Sequence, residues 1–135
     1  MFSLGGFRAG TIVAVPEHLV AAERDIPEGG GILVQAGGVE VGVFKVRGRV
    51  VAYENRCAHQ GGPVCIGEIM GRYEEVLGPD GTSVAERFAE DELHIVCPWH
   101  GWEYDLATGR CHADRRYGLR PYPVEVRDGR VYLLL

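Results

Sequence analysis

Two short segments of this 135-residue chain each place a cysteine and a histidine within one turn of backbone, Cys57-Ala58-His59 and Cys97-Pro98-Trp99-His100. Thiolate sulfur and imidazole nitrogen are the donors that hold zinc and iron, so four such groups in two matched loops point to a metal centre. Two chemistries use that donor set. A structural zinc ion takes two sulfurs and two imidazoles in a tetrahedron, but zinc sites of this composition usually keep both cysteines together in one knuckle. A binuclear iron–sulfur centre suits the mixed loops better, because a Cys and a His two or three residues apart reach adjacent irons of one cluster while the backbone turns tightly around it.

Each loop follows a run of residues that reads as a strand, and the strands fix how far apart the loops stand. Ile32 to Gln35, Val39 to Val46 and Arg49 to Glu54 are β-branched runs separated by Gly37-Gly38 and Gly48, the pattern of an antiparallel meander. Thr11 to Val15 reads as an earlier strand, with a helical turn expected over Glu17 to Glu23 behind Pro16. After the first loop, Tyr73 to Leu77 and Thr82 to Phe88 flank Pro79-Asp80-Gly81, so residues 71 to 92 read as an inserted hairpin. Leu93 to Val96 then leads into the second loop, and Glu103 to Asp105 with a turn at Thr108-Gly109 leads out of it. Val124 to Arg127, Asp128-Gly129 and Val131 to Leu135 close the chain as a strand, turn and strand. With 20 glycines and apolar residues in short bounded runs, the composition favours an all-β protein of one domain.

The ligand loops and their neighbours resemble the Rieske family, in which C-x-H and C-x-x-H loops hold a [2Fe–2S] cluster. Gly61-Gly62-Pro63 follows the first pair, and Gly101-Trp102-Glu103-Tyr104-Asp105 with Thr108-Gly109 follows the second. The resemblance covers nearly the whole chain apart from residues 68 to 92. It implies an antiparallel β-sandwich or barrel with a small cluster-binding subdomain made of two loops, about 55–66 and 97–111. It also implies that Cys57 and Cys97 hold the inner iron, and His59 and His100 the outer iron near solvent. Two ferric ions, two sulfides and two thiolates are together neutral. An added electron therefore meets less repulsion than in an all-thiolate cluster, and the potential rises into a range of roughly −150 to +300 mV. Reduction strengthens the hold of the outer imidazoles on their second protons, so the potential is expected to fall as pH rises through their titration.

Departures from the family set the expected tuning. Respiratory members carry an extra cysteine in each loop, joined as a disulfide over the cluster, and a serine bonded to a bridging sulfide; the matching positions here are Gly62, Trp99 and Trp102. Tyr104 does match a family tyrosine that donates to a ligand sulfur, which raises potential modestly, although a half-buried strand tyrosine would read the same way. A low to intermediate potential follows, as in oxygenase-associated ferredoxins. Gly62, Pro63, Trp99, Trp102 and Tyr104 are the candidate residues around the cluster, with both tryptophans expected to cover it unless they serve only in core packing. Cys65 and Cys111 lie outside the ligand pattern and read as free buried thiols, the alternatives being a mutual disulfide or an alternative ligand role. His18, His94 and His112 stand apart in the sequence without evident pairing. His94 is expected to face solvent or make a structural hydrogen bond.

The net charge of −5 is local in origin. Glu68, Glu74, Glu75, Asp80, Glu86, Glu90, Asp91 and Glu92 against Arg72 and Arg87 give residues 68–92 a net of −6, leaving about +1 for the rest. Such a polarised surface argues against nucleic acid as partner. No stretch approaches the roughly 20 apolar residues of a membrane span, and the opening residues lack a secretory core, so no membrane partner and a cytoplasmic location are expected. Oxygen activation on this chain is not expected, because its three remaining histidines look unpaired and no second domain fits. The expected function is that of a soluble one-electron carrier, not itself an enzyme. It would be a ferredoxin passing electrons from a reductase to an oxygenase or similar terminal oxidoreductase that docks near His59 and His100. The alternatives are a tightly bound small subunit of a nitrite reductase or arsenite oxidase type of enzyme, or a redox sensor. Arg110, Arg115, Arg116 and Arg120 form the one basic cluster, a solvated face or a contact for the acidic hairpin.

Overall fold

The computed structural model describes residues 15–135, and of 72–76 and 83–91 it describes the backbone. The chain is all-β: β1 (Glu17–Ala22), β2 (Gly31–Ala36), β3 (Val39–Val46), β4 (Arg49–Glu54), β5 (Glu68–Leu77), β6 (Ser83–Val96), β7 (Glu103–Asp105), β8 (Pro121–Tyr122), β9 (Val124–Arg127) and β10 (Arg130–Leu134). They form three antiparallel sheets, ordered β1-β10-β9, β2-β3-β4-β8 and β5-β6-β7. The β3–β4 and β9–β10 hairpins turn through Arg47-Gly48 and Asp128-Gly129, and the β2–β3 hairpin through Gly37-Gly38. Both residues of each pair have positive φ, the tight primed turn that matches strand twist.

Strand β3 divides the interior. Val41 and Val43 face one core with Ile26, Ala36, Ala52, Val131 and Leu133, where the first two sheets meet. Phe44 and Val46, on the other face by strand alternation, join a second core with Tyr53, Val64, Ile95, Tyr104, Leu106 and Leu119. This second core contains Cys57 and Cys97 and carries both loops. Gly42 has no room for a side chain, since a Cβ there would sit 2.6 Å from Cys65 Sγ.

Two expectations change, and a third lies almost wholly outside the described residues. The strand expected over Thr11 to Val15 lies outside the described residues except for Val15, which is not in a strand. Glu17–Ala22 is a strand rather than a helical turn; only Glu23–Asp25 forms a 3-10 turn. Helix-compatible residues become a strand there because β10 has an open edge, and β1 supplies the hydrogen-bonding partners that edge requires, from Glu17↔Leu134 to Ala22↔Arg130. The inserted hairpin is the continuation of the strands that carry the second loop: β5 and β6 pair from Glu68↔Val96 to Leu77↔Ser83, shifting register at Gly71/Arg72 and at Val76/Leu77. Its tip, closed by Gly78 and Gly81 with the Asp80 carboxylate accepting Thr82 N–H, lies at the opposite end of the ribbon from Cys97.

Candidate metal centre

The two Cys–His loops close by the same pair of backbone hydrogen bonds. In the first, Cys57 N–H donates to Gly62 O (2.8 Å) and Gly61 N–H donates back to Cys57 O (2.9 Å). In the second, Cys97 N–H donates to Trp102 O (2.8 Å) and Gly101 N–H to Cys97 O (3.0 Å). Gly61 and Gly101 occupy equivalent places with φ of 75° and 74°, a left-handed conformation that favours glycine. One loop has its histidine two residues after the cysteine and the other three, yet both place the imidazole on the outer side of the same closed turn.

The sequence-predicted ligands meet as the two loops converge. Cys57 and Cys97 are buried, at 3% and 2% exposure, while His59 and His100 are exposed with ring centroids 4.9 Å apart, edge to face. Burial pushes the Cys97 thiol above its ordinary value, the neighbouring Cys57 thiol adds to this, and the backbone N–H groups of Trp99 and His100 act the other way. Two thiols held side by side in a core, with amides aimed at one sulfur, suit a bound cation that takes them as thiolates. Two soft sulfurs inside and two imidazoles at the rim form a donor set with unequal ends, which fits a binuclear iron–sulfur centre.

The surrounding side chains are fixed from several elements. Tyr104, on β7 and fully buried, accepts Ala58 N–H at 3.1 Å, and its oxygen lies 3.0 Å from Cys57 Sγ. Burial, and then Cys57, push the Tyr104 hydroxyl well above the ordinary phenol range, so it stays protonated and can donate to a thiolate. Trp102 stacks on His59, with centroids 4.4 Å apart and planes 8° from parallel, and meets Tyr117 edge to face. Trp99 is 57% exposed, and its ring lies across Gly62, where a Cβ would come within 2.8 Å of Cδ2. Pro63 precedes the 3-10 turn Val64–Ile66 that closes the first loop.

Asn55 is a positioning residue that the sequence reading missed. Its side chain accepts Cys65 N–H at 2.8 Å and donates to Glu40 at 2.8 Å, and its own N–H bonds Glu40 O, so it ties the first loop to β3. A lone asparagine before a cysteine loop gives no distinguishing signal. Cys65 and Cys111 are free, as expected; Cys111 is buried in the second core, whereas Cys65 is half-buried rather than buried, and desolvation pushes its thiol up to about 12.

His94 and His112 do pair, contrary to expectation. Their ring centroids are 4.9 Å apart, and His94, with 0% exposure, stands between two carboxylates: Nδ1 is 2.5 Å from Glu103 Oε1 and Nε2 is 2.5 Å from Glu92 Oε2. Sequence separation hid this, because the β6–β7 ladder and the Tyr104↔Cys111 bridge bring residue 112 back beside residue 94.

A family model described as Rieske [2Fe-2S] domain matches residues 17–123. The chain is 27% identical over 110 residues to the ferredoxin component of the naphthalene 1,2-dioxygenase/salicylate 5-hydroxylase systems of a Ralstonia species, covering 81% of this chain and 86% of that one. Among solved structures, the ferredoxin of carbazole 1,9a-dioxygenase from Nocardioides aromaticivorans superposes with a TM-score of 0.64 at 22% identity, covering 87% and 96% of the two chains. A structure described as an NADH-dependent nitrite reductase small subunit from Mycobacterium tuberculosis gives 0.65 at 20%, covering 91% and 97%. At these identities the two structures speak to the fold.

Proposed function

We propose the following role for this chain, which belongs to the Rieske [2Fe–2S] domain family: a one-electron carrier, the ferredoxin component that takes electrons from a reductase and passes them to an oxygenase or similar terminal oxidoreductase. Cys57 and Cys97 hold the inner iron of the family's cluster, and His59 and His100 the outer one. The observation that best supports this assignment is the matched closure of the two loops, with both thiols in the core and both imidazoles at the surface. When bound, the cluster would supply one-electron oxidation and reduction.

The chain's own residues build an exit for the electron. His59 and His100 stand at the surface, and the stacked Trp102 shields one face of His59 from water. A groove of about 350 Å³ beside His59 is lined by Glu54, Arg56, Ala58, Gly61, Gly118 and Arg120, two guanidinium groups against one carboxylate, and Trp99 supplies exposed apolar area nearby. An arginine-flanked rim around exposed imidazoles suits an acidic patch on a partner and the small interface of a transient redox complex. The acidic ribbon leaves the loops at Glu68 and Val96, and its tip lies nine strand steps along, roughly 30 Å at the usual rise. Among the described residues no helix is long and apolar enough to cross a membrane, and the cytoplasm is the proposed location.

The test is anaerobic mixing of the reduced protein with an oxygenase of a ferredoxin-dependent system and with its flavin reductase. Second-order exchange with both, slowing as salt rises, is expected. A second reading, a firmly held small subunit, draws on the likeness to the nitrite reductase structure. Co-purification from its own cells with a large subunit in fixed ratio, without free exchange, would favour that reading over the carrier.

A further inference from the structure

We propose that Glu92, His94 and His112 form a second metal site, separate from the cluster ligands, for a divalent transition ion of the zinc type. One ligand atom from each residue lies within 4.8 Å of the other two. A tetrahedral ion with bonds of about 2.0 to 2.2 Å holds its ligand atoms roughly 3.4 Å apart, so small side-chain movements bring the three into range. Two imidazoles and one carboxylate are a borderline set that suits zinc, iron(II) or nickel better than the oxygen-seeking calcium and magnesium.

The arrangement around His94 is that of an oriented ligand. Glu103 Oε1 sits 2.5 Å from Nδ1 and fixes the ring, as a carboxylate does for a metal-bound histidine. Nε2 is thereby aimed at Glu92, and the His112 ring lies with its centroid 4.9 Å from that of His94. Carboxylates only accept hydrogen bonds, so either an N–H proton or a metal ion lies between Nε2 and Glu92 Oε2. A metal ion can take that place, with the two atoms moving apart by about 1 Å to the spacing of ligands sharing one ion. His112 is held from behind by its backbone N–H, which donates to Glu103 O at 2.8 Å. His94 is fully buried, whereas His112 is exposed and the Glu92 side chain is 34% exposed, so an ion enters from solvent and His94 forms the floor.

The site is distinct from the cluster centre. Strand alternation places Glu92 and His94 on the face of β6 opposite Leu93 and Ile95, which pack into the core that holds Cys57 and Cys97. No ligand is shared. The proposal stands whether or not the chain carries electrons.

The experiment uses the cluster-loaded protein, in which the four loop ligands are occupied, washed free of loose metal with a chelator. Zinc chloride is titrated calorimetrically, and cobalt(II) chloride is followed by visible absorption. One zinc per chain is expected, weakened at least tenfold by His112→Ala and by Glu92→Gln, and unchanged by His18→Ala. Cobalt is expected to give bands of nitrogen and oxygen ligation while the cluster absorption stays constant. Absence of binding, equal affinity in both site variants, or cobalt–thiolate charge transfer with loss of cluster absorption would each overturn the proposal.

Discussion

Replacing Tyr104 with phenylalanine removes a single oxygen that makes two contacts, one with Cys57 Sγ at 3.0 Å and one with Ala58 N–H at 3.1 Å. The ring is fully buried and stays in place, so the change is confined to the hydroxyl. A hydrogen bond to a charged acceptor contributes about 1.5 to 3 kcal/mol. That bond strengthens as the sulfur gains negative charge, and if half of its value differs between the two redox states, the difference is about 1 kcal/mol. For one electron, a tenfold change in equilibrium constant is about 59 mV, so the midpoint potential falls by roughly 40 mV. The sign is fixed, because the donor stabilises the more negative reduced state and its removal makes reduction harder. Loss of this acceptor for Ala58 N–H adds about 1 kcal/mol of destabilisation. Protein-film voltammetry of wild type and Tyr104→Phe at one pH measures the shift. A potential that rises, or that stays within about 10 mV of the wild-type value, would refute the claim that the hydroxyl donates to the cysteine sulfur.

Three other perturbations probe the site and its support. Charge reversal at Arg56 and Arg120 is expected to slow electron exchange with an acidic partner several-fold at low ionic strength and to flatten its salt dependence, measured by stopped flow; both residues line the groove beside His59. With its thiol near 12, Cys65 has roughly one part in ten thousand as thiolate at pH 8, so alkylation of the native protein is expected about a thousandfold slower than for a free thiol, read by mass spectrometry. The same raised value favours the folded state while the thiol is protonated, and that contribution is lost as pH climbs from the ordinary thiol range toward 12. Gly42→Ala puts a Cβ 2.6 Å from Cys65 Sγ and 2.8 Å from Phe44, and denaturant unfolding is expected to show a loss of about 1 to 3 kcal/mol.

What the sequence made legible followed from local signals. Val39–Val46, Arg49–Glu54, Glu103–Asp105 and Val124–Arg127 appear with the expected boundaries, helped by Gly38, Gly48, Pro123 and Asp128, which mark ends of the first, second and last of them. The four candidate cysteine and histidine ligands stood out in the sequence because two loops repeat one arrangement, and the structure brings those loops together. The misread parts depend on partners distant in the chain. Glu17–Ala22 is extended only because β10, more than a hundred residues later, needs an edge partner. Pro121–Tyr122 is a two-residue strand with a proline, too short for any period, and exists through pairing with β4. His94 and His112 looked solitary because their approach is made by the sheet register rather than by spacing, and Asn55 acts through bonds to Glu40 and Cys65 that sequence order does not reveal.

The most direct measurement is metal and sulfide analysis of the anaerobically reconstituted protein, joined to paramagnetic resonance after dithionite. Iron and acid-labile sulfide in equal amounts, a paramagnetic signal on one-electron reduction, and loss of both in Cys57→Ser and Cys97→Ser are the predicted results. Stoichiometric zinc with no iron, or a reduced sample without paramagnetism, would contradict the account.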